Sequence, residues 1–230
     1  MNRNDPNLPV LQAVARQLGP LREKVVLVGG CAVGLLITDN GRPPVRATTD
    51  VDLVVEVASR ISYHELTKRL RALGFSQPVG DLICRWNIDD MSVDILPCDG
   101  AILGFENRWY RDVMEHAVSM RLPSGQLIRV ASAPLLIATK IEAFHGRGAK
   151  DCRASHDIED IVNLIDGRPE LPEEIGSQPA ALRDYLREEL ADLLEFGGLI
   201  EALPWHLAPE HSEQARIPGL IGTLRRMAGL

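Results

Sequence analysis

The stretch VVLVGGCAVGLL, residues 25–36, places four apolar residues before a glycine pair and a short apolar helical pattern. Val25 to Val28 is typical of a buried strand, and Gly29 and Gly30 are typical of a turn that leads into a helix. A turn without side chains lets a phosphate approach backbone N–H groups. An ordinary tight turn explains the glycine pair equally well, and neither GxxxxGK[ST] nor GxGxxG is present.

Paired acids follow in DVDLVVEV, residues 50–57, which is typical of a second strand. Asp50 and Asp52 stand at i and i+2, so both carboxylates project from one face and repel each other unless a cation neutralises them. Asp94, within SVDIL at 92–96, adds a third acid on a further strand. Hard oxygen ligands from two neighbouring strands favour Mg²⁺, and three acids suffice for a two-metal centre. The alternative, acids alternating outward into solvent, stays open.

Hydrophobic periodicity divides the chain into two regions, from which we expect an α+β fold. The first region, residues 1–130, is predicted to be a catalytic domain built on a small mixed sheet, and residues 131–230 a helical lobe. The predicted helices cover 8–18, 63–73, 107–116, 132–144, 155–167 and 180–196, with a linker at 171–178. Further strands are predicted at 82–88 and 91–98, joined at Asp89-Asp90, and a hairpin turns at 123–125.

The composition is that of an ordinary globular protein, with 45% hydrophobic and 25% charged residues among 230. Globally disordered and fibrous classes are therefore excluded. No apolar run approaches the roughly 18 residues of a membrane span, and the start MNRNDPN lacks the layout of a secretory signal. The cysteines are dispersed without a CxxC pair, which argues against a zinc site and a disulfide framework. We expect a cytoplasmic protein without a membrane partner; the cysteines are Cys31, Cys84, Cys98 and Cys152.

Three segments together resemble a known superfamily. GGCAVGLL at 29–36, RATTDVDLVV at 46–55 and SVDIL at 92–96 are similar to the core of the DNA polymerase β-like nucleotidyltransferases. KIEAFHGRGAKDCRASHDIEDIVNLIDGR at 140–168 resembles the closing region of the AbiEii/AbiGii (MenT-like) toxin nucleotidyltransferase branch, in which a lysine helix precedes a helix with a DxxD motif. The resemblance covers roughly residues 25–168. Gly30 stands where much of the superfamily has a phosphate-binding serine. The toxin branch commonly has the same glycine pair, so the resemblance to that branch includes this position.

The resemblance implies a fold, a reaction and a set of site residues. The fold is a polymerase β-like nucleotidyltransferase core followed by a helical lobe that completes the nucleotide site. The strand acids would bind two Mg²⁺ ions, with Asp94 as general base, and the glycine turn would hold the triphosphate of an NTP. The implied residues are Asp50, Asp52 and Asp94 for metal; Gly29, Gly30, Cys31 and Lys140 for nucleotide; and Lys140, Asp157 and Asp160 as further catalytic residues.

Helical periodicity alone also supports predictions for Lys140 and the DxxD acids. Lys140 shares a helical face with Leu136 and Phe144, so its stem is expected along apolar surface and its ammonium at a rim, within reach of a phosphate. A solvated helical lysine is the alternative. Asp157 and Asp160 lie at i and i+3 on one face, and acids in a first helical turn also suit the helix macrodipole without any catalytic role.

Three functions remain open at this stage. The first is a Mg²⁺-dependent transferase that moves NMP from an NTP to an RNA hydroxyl, such as the 3′ end of tRNA, in a toxin neutralised by an antitoxin from the same operon. The second keeps the site but uses a small-molecule, antibiotic-type acceptor. The third is a nucleotide-binding module that has lost turnover, although the presence of all three strand acids speaks against it.

The charge distribution bears on the RNA alternative. The formal net charge is −7, yet residues 1–130 hold 15 basic and 15 acidic side chains, so the excess lies in the second half. This balance argues against a broad, nonspecific nucleic-acid coat. With the three strand acids offset by metal, the first half keeps 15 basic against 12 acidic groups. RNA is therefore expected along the first half, near Arg42, Arg46 and the basic helix with Lys68, Arg69 and Arg71.

Overall fold

A computed structural model describes residues 4–78, 82–104, 107–148 and 151–230. Its strands form one six-stranded mixed sheet in the order β3-β4-β2-β1-β6-β5. Their bounds are β1 Val25–Val28, β2 Asp50–Val55, β3 Arg85–Ile88, β4 Met91–Pro97, β5 Val118–Arg121 and β6 Leu127–Val130. The mixed α and β architecture expected from the sequence is confirmed.

The strand pairing brings the acidic positions together. β1 is buried along its whole length, as its four apolar residues predict, and it pairs antiparallel with β2 and parallel with β6. β2 in turn pairs parallel with β4, in a register that sets Asp52 opposite Asp94. Val28, at the end of β1, is the partner of Asp52 on the other side. One row across the sheet therefore runs from Asp94 through Asp52 to the residue that precedes Gly29.

The helices of the strand-containing part determine which face carries the acids. Leu11 and Leu18 of the first helix line one small apolar cavity together with Val51 and Leu53 of β2. Because side chains alternate along a strand, Asp50 and Asp52 project from the opposite face. The helices are α1 Leu8–Leu18, α2 Gly30–Leu36, α3 Arg60–Ala72, α4 Gly100–Leu103 and α5 Tyr110–Glu115, with a 3₁₀ turn at Gly19–Glu23.

The rest of the chain is helical and has a core of its own. The helix that begins at Ala133 is buried on nearly all sides, with Leu136, Ile137 and Ile141 fully enclosed. Apolar residues all round a helix predict such a central position. The helices are α6 Ala133–Gly146, α7 His156–Gly167, α8 Leu171–Gly176, α9 Ala180–Glu195, α10 Leu199–His206, α11 His211–Gln214 and α12 Ile217–Ala228.

The chain divides into two compact units. Among the described residues, one unit comprises 4–35 with 44–132, and holds the sheet; the other comprises 36–43 with 133–230, and holds helices α6 to α12. Residues 36–43 join the helical unit because Thr38 and Asp39 donate backbone hydrogen bonds to the carbonyl of Gly167. The division predicted from the sequence, at 130/131, places this segment in the first region.

Most of the predicted elements are confirmed, one is wrong and one strand is shorter than predicted. The hairpins at Asp89-Asp90 and at 123–125 are present, and α1 has the predicted bounds. The segment 171–178 is not a linker but contains α8, because Leu171 and Ile175 are buried at i and i+4 and Pro172 is tolerated in a first helical turn. The strand predicted at 82–88 begins only at Arg85. Within the described ranges, no helix combines the length and apolarity that a bilayer crossing requires.

Candidate metal centre and nucleotide site

Three strand carboxylates converge on one face of the sheet. Ligand oxygens of Asp50, Asp52 and Asp94 all lie within 4.8 Å of one another. β2 supplies the first two at i and i+2, and the parallel register of β4 places Asp94 directly across from Asp52. Asp94 is buried, while Asp50 and Asp52 are half-buried. The structure thus brings together the three acids that the sequence singled out.

This donor set fits a hard divalent cation. Carboxylate oxygens are the ligands that Mg²⁺ prefers, and partly exposed acids leave room for waters and for the phosphates of a substrate. Three negative charges so close together repel one another, and a cation bound by all three would relieve that repulsion. Asp50, Asp52 and Asp94 are therefore the residues that would hold such an ion.

Gly29 lies against the carboxylate of Asp52. A side-chain carbon built on Gly29 would overlap Asp52 Oδ2, and the glycine has φ +68°, a left-handed conformation. Both constraints require glycine, because any other residue is destabilised in the left-handed conformation and carries the Cβ that would clash. The glycine turn and the acid cluster are therefore adjacent, which their separation of about twenty residues in sequence left open.

Sequence reasoning missed Arg85, which joins the acid cluster from the edge strand β3. Its Nε donates to Asp94 Oδ1 at 2.9 Å and its Nη2 to Asp94 Oδ2 at 2.8 Å. The same Nη2 lies 3.6 Å from Asp50 Oδ2. The signal was present in the predicted hairpin: a two-residue turn at 89–90 pairs Ile88 with Met91, and counting outward pairs Arg85 with Asp94.

A hydrogen-bond network fixes the beginning of β2. Asn7, which is 1% exposed, accepts from the backbone N–H of Thr48 and donates to the carbonyl of Arg46. Thr48 Oγ1 lies 2.7 Å from Cys31 Sγ, and both groups are within hydrogen-bond distance of the Asp50 carbonyl. The N-terminal segment and the start of α2 therefore hold the strand end that carries Asp50.

Cys31 supports the site with an inert side chain. Burial raises the pKa of its thiol to about 12, and the nearby carboxylates act in the same direction. The side chain thus stays a neutral thiol at physiological pH, directed at Thr48 and the Asp50 carbonyl. Any contact of Cys31 with phosphate is left to its backbone, as the glycine-type turn implies.

The helical unit contains a second charged cluster, formed by α6, α7 and Arg147, which directly follows α6. Lys140 Nζ lies 2.6 Å from Asp160 Oδ2 and 3.2 Å from Asp157 Oδ1. Arg147 adds an ion pair to Asp157. Both aspartates are only 2% exposed, and Ser155 caps α7 as predicted by accepting from the N–H of Ile158. The DxxD motif and the lysine helix are thus bonded to each other.

Two expectations about basic residues need correction. The ammonium of Lys140 does not lie at an open rim, because the side chain is 10% exposed and paired with both DxxD acids. Arg42 is not an exposed RNA-facing residue: its side chain is 13% exposed and forms ion pairs within the helical unit, with Asp39, Asp166 and Glu213.

Comparison with known proteins identifies the fold. No protein-family model and no curated protein matches the sequence. The crystal structure of an antigenic nucleotidyltransferase-like protein from Paracoccidioides brasiliensis superposes with a TM-score of 0.54 at 20% identity, over 98% of this chain and 94% of that one. The chain has a nucleotidyltransferase-like fold. The antibiotic-resistance factor ANT(2'')-Ia is also similar, at 16% identity over 81% of this chain and 94% of that one. Its TM-score of 0.45 is too low to bear on function.

Within this nucleotidyltransferase-like fold, the residues group by unit. Gly29, Cys31 and the three strand acids belong to the sheet-bearing unit, as does Arg85. Lys140 and the DxxD acids belong to the helical unit. The acid cluster beside a side-chain-free turn is thus complete within one unit of the chain.

Proposed function

We propose that this protein is a divalent-metal-dependent nucleotidyltransferase, which transfers NMP from an NTP to a hydroxyl acceptor and releases pyrophosphate. The observation that carries the proposal is the convergence of Asp50, Asp52 and Asp94 within 4.8 Å, beside Gly29, in a nucleotidyltransferase-like fold. A metal-binding carboxylate cluster adjoining a turn open to phosphate suits the in-line displacement of pyrophosphate.

The chain's own residues have separable tasks in this reaction. Mg²⁺ held by the three acids would stabilise the charge that develops on phosphorus and on the leaving pyrophosphate. The backbone from Gly29 to Cys31, bare of side chains at its first two positions, would orient the triphosphate. Asp94, buried and fixed opposite Asp52, would accept the proton of the acceptor hydroxyl.

The cluster in the helical unit is proposed to serve nucleotide binding. The resemblance to the AbiEii/AbiGii branch implies that Lys140 binds nucleotide and that Lys140, Asp157 and Asp160 are catalytic residues. Their mutual ion pairs support a preorganised group, since each buried charge has a partner of opposite sign. Substituting Lys140 is therefore expected to weaken NTP binding as well as stability.

An RNA acceptor, such as a tRNA 3′ end, is the substrate class that we favour. Lys68, Arg69 and Arg71 are exposed on α3 in the sheet-bearing unit, which supports an RNA-facing surface there. Lys68 is paired with Glu65, and Arg71 contacts Gln77 and the ring of Trp86. Charge reversal at Arg69 is expected to weaken RNA transfer and to leave pyrophosphate release with a small acceptor unchanged.

A toxin role, with an antitoxin as partner, follows only from the resemblance to the AbiEii/AbiGii branch. Expression of the wild type in a bacterial host is expected to arrest growth, and Asp50→Asn to abolish the arrest. Growth equal to that of an empty-vector culture would contradict the toxin role and would leave the proposed nucleotidyltransferase activity unaffected.

The reaction is tested with each α-labelled NTP in Mg²⁺, with total tRNA and with small hydroxyl acceptors in parallel. Asp52→Asn is expected to reduce label transfer at least a hundredfold, because one metal ligand loses its charge. Asp90→Asn is the matched control, an exposed aspartate on the β3–β4 turn, and should keep full activity. Failure of the wild type to release pyrophosphate with any NTP and acceptor would contradict the proposed reaction.

A further inference from the structure

Arg85 contacts the candidate metal ligands through two nitrogens of its guanidinium, Nε and Nη2. It spans both oxygens of Asp94 at 2.9 and 2.8 Å, and approaches Asp50 to 3.6 Å. This is the bidentate geometry that makes arginine–carboxylate pairs both strong and directional. One positive charge is therefore placed against two of the three acids.

The position of this charge is fixed by the sheet. Arg85 lies on β3 directly opposite Asp94 in the antiparallel β3–β4 pair. Its side chain is 28% exposed and that of Asp94 10% exposed, so solvent screens their interaction only in part. A guanidinium held by a strand register and two hydrogen bonds acts on its neighbours as a stationary cation.

Such a cation has two effects, and both lower the affinity of the acid cluster for metal. It relieves the repulsion among the three carboxylates, which stabilises the cluster. It also repels a divalent ion bound by those same carboxylates. The fork does not block ligation, because each oxygen of Asp94 has a second lone pair beyond the one that Arg85 uses.

We propose that Arg85 is the built-in counter-ion of this metal centre, which stabilises the acid cluster and lowers its affinity for a divalent cation. The inference rests on the proposed function only in taking Asp50, Asp52 and Asp94 as metal ligands; it requires no particular nucleotide or acceptor. Arg85 is thus a positioning residue that sets how readily the site binds metal.

The test measures Mn²⁺ binding to the full chain, with free Mn²⁺ counted by electron paramagnetic resonance. Arg85→Met removes the charge and keeps an apolar stem, and it is expected to tighten Mn²⁺ binding by about tenfold or more. Arg85→Gln removes the charge but keeps a hydrogen-bond donor, and should act in the same direction if Arg85→Met fails to fold. Arg85→Lys retains the charge and should stay within about threefold of wild type.

Thermal unfolding supplies a second readout, independent of turnover. Without added metal, Arg85→Met is expected to unfold at a lower temperature than wild type, since the carboxylates lose their counter-ion. Saturating Mn²⁺ should then raise the unfolding temperature of the variant by more than that of the wild type, because a tighter-binding ligand stabilises the folded state more at the same concentration.

Arg22→Met is the matched control. Arg22 is half-buried in the same unit, donates to the carbonyls of Gly19 and Leu127, and lines the cavity on the other face of β2. Its substitution should leave Mn²⁺ affinity unchanged. Equal shifts in the Arg22 and Arg85 variants would overturn the proposal.

Asp52→Asn distinguishes failure of the inference from failure of the proposed function. If Asp52→Asn loses Mn²⁺ binding while Arg85→Met binds Mn²⁺ no tighter than wild type, the counter-ion role is wrong and the metal centre stands. If the wild type does not bind Mn²⁺, or Asp52→Asn binds it as well as wild type, both are overturned.

Discussion

The Cα of Gly29 lies so close to the carboxylate of Asp52 that no side chain can be accommodated between them. Gly29→Ala is therefore expected to displace Asp52 and to lose both metal binding and any NMP transfer. Alanine at the left-handed φ of +68° is also expected to lower the free energy of unfolding by about 1–2 kcal/mol. Urea unfolding and Mn²⁺ binding measure the two effects separately.

Gly125→Ala is the control for Gly29→Ala. Gly125 also has a left-handed backbone, with φ +90°, but nothing lies within 4 Å of the position that a side-chain carbon would take. Its substitution should cost the conformational penalty and leave Mn²⁺ affinity unchanged. A Gly29→Ala variant that binds Mn²⁺ like wild type would refute the proposed contact.

Lys140→Met is expected to destabilise the helical unit strongly. The substitution removes the ammonium from Asp157 and Asp160, both of which are 2% exposed. Breaking a buried ion pair by removing one partner costs about 3–5 kcal/mol. The free energy of unfolding, obtained from urea titration monitored by circular dichroism, measures this loss.

Lys68→Met provides the comparison for a lysine ion pair on the surface. Lys68 and Glu65 are 2.8 Å apart, and each side chain is 57% exposed. Exposed pairs contribute about 0–1 kcal/mol, so this variant should unfold almost like wild type. Equal stabilities of the Lys140 and Lys68 variants would show that the buried cluster has no special energetic role.

The four thiols are expected to be unreactive in the folded protein. Burial raises the pKa of Cys31 to about 12 and that of Cys84 to about 11, and it also raises the pKa values of Cys98 and Cys152. Since the thiolate is the reactive form, iodoacetamide at about pH 8 should label none of them quickly. Mass spectrometry after labelling in urea should then find four modified cysteines. Rapid labelling of the folded chain would contradict these pKa directions.

Asp5→Asn is expected to stabilise the protein at neutral pH. Asp5 is 3% exposed and its Oδ2 has no hydrogen-bond partner, so burial raises its pKa above the ordinary value of 3.8. The folded state therefore binds the proton more tightly than the unfolded state. As the pH rises above 3.8 and through the folded-state pKa, the free energy of unfolding falls. Asparagine keeps the acceptor for the Asn7 N–H and carries no charge, so the variant is expected to be more stable than wild type at neutral pH.

The pH dependence checks the cause of that stabilisation. The difference between Asp5→Asn and wild type should be smallest well below pH 3.8, where the Asp5 carboxyl is protonated in both the folded and the unfolded state, and greatest near pH 7. Asp90→Asn, on an exposed turn, should show no such difference. A variant less stable than wild type at neutral pH would mean that the ionised carboxylate is stabilised in the fold.

Local sequence signals were sufficient for the acid cluster and insufficient for its partners. Asp50 and Asp52 could be placed on one face because the strand period is fixed at two residues. Asp94 required only that its strand lie beside β2, which the parallel pairing satisfies. Arg85 was missed although the predicted hairpin determines its register, because an alternating strand arginine is usually a solvated one.

Contacts between distant segments could not be predicted from the sequence, and the reason is physical. Lys140 was expected at a rim because helical periodicity shows which residues share a face, but not how many faces are covered. Its helix is enclosed on nearly all sides, and the DxxD acids supply its counter-charges. The assignment of residues 36–43 to the helical unit likewise depends on hydrogen bonds to Gly167, about 130 residues away in the chain.

Because of the segment 36–43, no single cut in the chain separates the two units. The chain leaves the sheet-bearing unit after Leu35, contributes this segment to the helical unit, returns at Pro44 and leaves again after Ser132. A fragment that ends at residue 132 would contain Arg42 without its partners Asp166 and Glu213. A fragment that begins at 133 would contain those two acids without Arg42. Neither fragment therefore keeps all the ion pairs of the helical unit.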